Sequence, residues 1–188
     1  MANEILRKVG TQIIFADHAA DFTGGTAKTS LEVATATDVQ LDLTTLTNGA
    51  GRESAQVDLG ATRAMQYSVM AAIESGGTAM TTGTTVDFYW APSPESTATD
   101  GNPGQIDGSD AAAPSGVGTL AELLLVCDFI GSLVVEDTAS TVQVGKVGTF
   151  APSERYGILI VVNNTAQSFE TNANEHHVVF NPVIDEVQ

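Results

Sequence analysis

The residues that could do chemistry are few and widely spaced. Gly24-Gly25-Thr26-Ala27-Lys28-Thr29 has the glycines, lysine and hydroxyl of a phosphate-binding loop. That loop needs Gly directly before the Lys so that backbone N–H groups can wrap the phosphates, and Ala27 stands there instead. Oxygen donors gather at Asp100, Asn102, Asp107 and Asp110, a set suited to a hard cation. A calcium loop of the EF-hand kind would want Gly and Glu where Gln105 and Ala111 stand. The plainer reading is acids that form turns by accepting hydrogen bonds from their own backbone.

Histidine and cysteine chemistry is no better supplied. His176 and His177 are adjacent, and neighbours on a strand point to opposite faces, so they make poor chelating partners. With His18 they read as core or solvated rings. Neither Cys-x-x-Cys nor His-Glu-x-x-His occurs, so the usual zinc spacings are missing. Cys127 is the single cysteine and sits in an apolar run, which reads as a small buried hydrophobe. No Gly-x-Ser-x-Gly elbow is present. Among 23 Asp+Glu some pair will always mimic a glycosidase site, so paired acids carry no information. The expectation is a non-enzymatic chain with no catalytic, cofactor or metal residues.

Charge is more informative than any motif. Seven Lys+Arg against 23 Asp+Glu give a formal charge of −16. Generic nucleic-acid binding needs Lys and Arg to displace counterions from phosphates, and an anionic membrane needs them too. Neither partner is expected. Between Arg63 and Lys146 there are ten acids and no base. The basic residues that could anchor an acidic protein surface are Arg7, Lys8, Lys28, Arg52, Arg63, Lys146 and Arg155, with Arg favoured for bidentate contacts. The longest apolar runs, 123–127 and 158–162, fall far short of the ~20 residues that span a bilayer. The N-terminus has no apolar stretch behind Arg7-Lys8 and does not read as a secretory signal.

The elements that would position these residues are strands. Apolar and polar residues alternate at 39–43, 57–59, 67–73 and 86–90, the period of a strand with one buried face. Runs at 12–15, 129–135, 142–147, 158–162 and 178–183 add further strands. The 23 Thr and 18 Gly suit pleated surfaces and tight turns. Many short strands separated by turns predict an all-β, antiparallel β-sandwich, jelly-roll-like. At most one short helix is expected: Thr119 could cap 120–125 with Glu122 in a capping box, unless that run is a buried strand. Residues 1–11 read as an N-terminal arm without an intrachain partner, and 12–188 as one domain. Within it, 91–118 is a long loop with four Pro and five Gly, either mobile or ordered by a neighbouring subunit. Tyr67, Val69, Phe88, Trp90 and Ile160 are expected in the core.

Two stretches carry a resemblance: LTTLTNGAGRESAQVDLGATR at 43–63 and NPVIDEVQ at 181–188. The pattern is a strand, an Asn-Gly turn, a strand ending Asp58-Leu59-Gly60, then a strand holding Tyr67. It resembles small virion structural proteins of tailed bacteriophages. The resemblance implies a β-sandwich present in many copies on a capsid or tail, and brings no catalytic residues. The expected function is a capsid decoration (cement) protein that reinforces the major capsid lattice, located in the virion after assembly in the bacterial cytoplasm. A tail or fibre component is the nearest alternative. A carbohydrate-binding sandwich using Tyr89, Trp90 and the long loop is another. The expected partners are the major capsid protein or other virion proteins and further copies of the chain, as a trimer. The candidate contact residues are Ile5, Leu6, Arg7, Lys8, Arg52, Arg63, Tyr89, Trp90 and Arg155.

Overall fold

A computed structural model describes residues 5–19, 31, 36–61, 63–97 and 101–187. The alternating runs become strands of two sheets. In sheet A the strands are β1 (Ile5–Val9), β2 (Gln12–Ala16), β3 (Ala36–Gln40), β6 (Gln66–Ile73), β10 (Gln143–Phe150) and β12 (His177–Val187). The order is β10-β6-β12-β2-β3, with β1 on β12 beside β2. Sheet B holds β4 (Gly51–Glu53), β5 (Val57–Asp58), β7 (Thr85–Ser93), β8 (Ala111–Ala113), β9 (Asp128–Val134) and β11 (Tyr156–Asn164). Its order is β8-β4-β11-β7-β9, with β5 on β11. Every pairing is antiparallel except that of β2 with β3, which is parallel. The all-β sandwich read from the sequence is what the chain forms.

The inward faces follow from period-2 alternation. Tyr67, Val69, Ala71 and Ile73 of β6 meet Val86, Phe88 and Trp90 of β7 in one core, together with Leu159 and Val161 of β11 and Val178 and Phe180 of β12. An aromatic group fills its centre: Phe180 lies 4.7 Å from Phe15, 5.1 Å from Phe150 and 5.8 Å from Trp90, centroid to centroid. These tilted and edge-on contacts are the favoured aromatic arrangements. Gly157 makes room for the indole, since a Cβ there would stand 2.2 Å from Trp90 Cζ2.

β11 is buried on both sides, which explains its unbroken apolar run. Its outward residues Ile158, Ile160 and Val162 form a second layer with Ala91, Ile106 and Leu123. This layer is closed by α1 (Leu120–Leu124) and the chain before it. Thr119 Oγ1 accepts the Glu122 N–H, and the Glu122 carboxylate accepts the Thr119 N–H at 2.7 Å. The predicted capping box is present, on a helix rather than a strand.

Two expectations are corrected. Residues 91–118 are not one irregular loop awaiting a neighbour. Residues 91–93 end β7, Pro103–Gln105 form a 3-10 turn, and β8 extends sheet B by pairing with β4. Ile106, with no solvent exposure, anchors the segment in the second core. Gly116 lies so close to the Gly104 carbonyl oxygen that a Cβ would stand 2.2 Å from it. The apolar Ile106 was hidden among turn residues, which is why the segment read as unpartnered. Likewise the arm has an intrachain partner: Ile5–Val9 pairs residue for residue with the end of β12.

Candidate interaction surface

The candidate contact residues do not come together. Trp90 is fully buried in the inter-sheet core, so it belongs to the predicted core and is corrected as a surface contact. Alternation decides this: β7 sends Phe88 and Trp90 inward and Tyr89 outward. Tyr89 is half-buried, its ring 5.1 Å from that of Phe129. Burial holds its phenol above the usual range, with Asp87 adding to the effect. A paired Tyr89–Trp90 platform for sugar stacking does not exist.

The three candidate arginines of the body are engaged within the chain. Arg52 Nε donates to Asp110 Oδ1 at 2.6 Å, and its Nη2 donates to the Asp110 carbonyl at 3.2 Å. The Asp110 hydrogen bond holds the guanidinium pKa above its ordinary value. Asp110 also accepts from Gln40 Nε2 and the Asp42 N–H, which ties the segment ending at β8 to sheet A. This carboxylate is committed to structure, and Asp107 caps the Ser109 N–H at 2.9 Å. Asp100 and the Gly24–Thr29 stretch lie outside the described residues. Among the described residues no group of three or more His, Cys, Asp or Glu could hold a metal.

Arg155 makes a two-pronged contact with Asp58, both nitrogens at 2.7 Å, while lying 5.0 Å from the centre of the Tyr156 ring. That hydrogen bond lowers the Asp58 pKa. Arg63 donates to the Ser153 carbonyl at 3.1 Å. These three arginines pin separate segments: 52 to 110, 155 to 58 and 63 to 153. Ile5, Leu6, Arg7 and Lys8 are together on β1, at the opposite end of the sequence from their β12 partners.

Sequence reasoning missed a different set. Leu125, Val126 and Phe129 follow α1 and are 84%, 56% and 57% exposed. Val117, just before α1, is 64% exposed. The one turn of helix in the apolar run at 123–127 buries Leu123, leaves Leu124 and Cys127 half-buried against the second layer, and turns Leu125 and Val126 out. The helix's shortness was the available signal. Cys127 is half-buried, its Sγ donating to the Leu123 carbonyl at 3.2 Å. Burial, with Asp128 and Glu53 nearby, pushes its thiol up to about 12, which keeps it protonated and a poor nucleophile.

Glu53 and the His176–His177 pair are among the buried ionisable groups. Glu53 is fully buried, with Oε1 accepting the Ser115 N–H at 2.7 Å and Oε2 without a hydrogen-bond partner. Desolvation raises its pKa. His176 accepts the Glu74 N–H at Nδ1 (3.3 Å), and its Nε2 lies 3.0 Å from the Glu170 carbonyl oxygen. Its ring stacks on Phe169 at 5.6 Å. Burial pushes both His176 and His177 down to about 4, so both rings are neutral at neutral pH.

No protein-family model, curated protein or solved structure matches the chain.

Proposed function

We propose that the chain is a non-enzymatic structural protein of a tailed-bacteriophage virion, a capsid decoration protein that binds over the major capsid lattice. The observation that carries the reading is where the apolar surface lies. The loop and Trp90 are packed inward, while Leu125, Val126 and Phe129 stay exposed around α1 and the start of β9. Exposed large hydrophobics grouped along one segment suit a protein–protein contact. The rest of the design supports a passive role. Arginines tie segments of the same chain together, the thiol is protonated, and the buried histidines are neutral. Repetition over a lattice would multiply individually weak contacts through avidity.

The test is a comparison of particles with and without the protein. Particles lacking it should assemble but break at lower temperature or lower salt, and adding purified protein should restore them. Equal robustness would reject the decoration role. Counting copies per particle decides its location, since hundreds fit a capsid lattice and a small multiple of three or six fits a tail. In the same assay Leu125→Asp with Phe129→Asp should weaken attachment by at least tenfold while leaving the β-type circular dichroism unchanged.

A further inference from the structure

The ribbon at the end of sheet A bears on how copies of this chain meet. β1 pairs with β12 over Ile5↔Val187 to Val9↔Val183. On its other side β12 has β6 as neighbour only as far as Val183, which stands opposite Gln66. Among the described residues no strand continues beyond that point. Among the described residues, 184–187 therefore present one open backbone edge and β1 another on the far side of the ribbon. A two-stranded ribbon is marginal in water, and open strand edges are templates for another chain.

Charge decides which edge meets which. β1 reads Ile-Leu-Arg-Lys-Val, while 183–187 reads Val-Ile-Asp-Glu-Val. Within the chain the register sets Arg7 opposite Asp185. If β1 met β1 of a second copy antiparallel about its centre, Arg7 would stand opposite Arg7. If the 184–187 edges met each other, Asp185 and Glu186 would be gathered from both copies. Each of these two-fold arrangements sets like charges together, which destabilises a strand pair, in a protein already at −16. β1 against 184–187 of the next copy sets basic against acidic instead. That contact is head-to-tail, so each copy offers one edge and receives the other until a ring closes.

We propose that this ribbon is the self-association element, with β1 of each copy adding as a strand to residues 184–187 of the next in a closed ring of three or more copies. The proposal deepens the many-copy reading above, and it is measured on the isolated protein rather than on particles. Sedimentation velocity of the full chain at tens of micromolar and roughly 0.15 M salt should give one closed species of three or more. A monomer or a dimer would overturn the proposal. Arg7→Glu with Lys8→Glu should reduce the ring to monomer. Adding Asp185→Lys with Glu186→Lys to that same chain exchanges the two charges and should restore it. Failure to restore, in a chain with unchanged circular dichroism, overturns charge-directed pairing. A ring that forms in solution while particles remain indifferent to the protein would reject the decoration reading and leave the ring standing.

Discussion

Two of the hydrophobic layers of this chain share strand β11 and are built on different rules. The inter-sheet core is apolar and aromatic, and its strands fill it largely by alternation, interrupted by bulges at 146/148 and 88/89, with backbone hydrogen bonds made in the ladders. The outer layer on sheet B is closed by one turn of α-helix and an irregular segment. It must therefore satisfy backbone and polar groups individually. Asn102 Nδ2 donates to the Ile106 carbonyl, Ser115 serves Glu53, and the capping box serves α1. One carboxylate oxygen of Glu53 is left over. The regular core carries a cost of the same kind, because Trp90 Nε1 is also buried without a hydrogen-bond partner.

The sharpest way to break the comparison is a cavity in the aromatic centre. Phe88→Ala should destabilise by about 3–5 kcal/mol in urea unfolding, because the space cannot collapse between two hydrogen-bonded sheets. A loss below about 1 kcal/mol would mean that the two layers are equally soft.

Acid should act at the start of β12 and the turn before it, where the buried histidines lie. The buried histidines have pKa values near 4, below the ordinary 6.5, so the fold prefers them neutral. Their contribution is fully present above about pH 6.5 and is lost as pH falls towards 4. Thermal midpoints should drop steeply across that window, by about 2–3 kcal/mol in stability. In His176→Gln the drop should be shallower even if the variant is weaker at neutral pH.

The outer layer should respond with the opposite sign. The Glu53 pKa is raised, so the stability linked to it is present when the group is protonated and is lost as pH rises through the folded-state value. Glu53→Gln should stabilise by about 1 kcal/mol at neutral pH by removing a buried charge, and the gain should vanish in acid. An equal gain at pH 4 and pH 8 would show that the carboxylate is not charged in the fold.

The smallest effect is expected at the helix cap. Thr119→Ala should cost about 1 kcal/mol and raise hydrogen exchange in 120–127 while β6 and β7 keep their protection. Exchange that rises equally in both layers would mean they unfold as one unit.

Much of the sandwich was legible in the sequence because period 2 is a local property of the chain. The alternation at 67–73 and 86–90 already separates Tyr67, Phe88 and Trp90 from Gln66 and Asp87, and Thr119 with Glu122 spells its own cap. β4 and β8 were not legible, being three residues each and made of Gly, Arg, Glu and Ala. They are strands only because β11 and β4 offer them an edge. The intrachain partners of the arginines were not legible for the same reason. Whether an arginine is free depends on what lies 58 or 97 residues away, as with Arg52 and Asp110 or Arg155 and Asp58.

Local residue patterning and composition set the all-β class, the strand faces, the capped helical turn and the acidic character of the chain. Tertiary structure alone decided that the Gly/Pro-rich segment packs on its own chain, that the N-terminal strand meets the C-terminal one, and which apolar residues remain outside. Local pattern fixes which side of a strand is apolar, through the geometry of alternating side chains. Which surfaces are covered depends on the closure of segments far apart in the chain, and no short window of sequence contains that information.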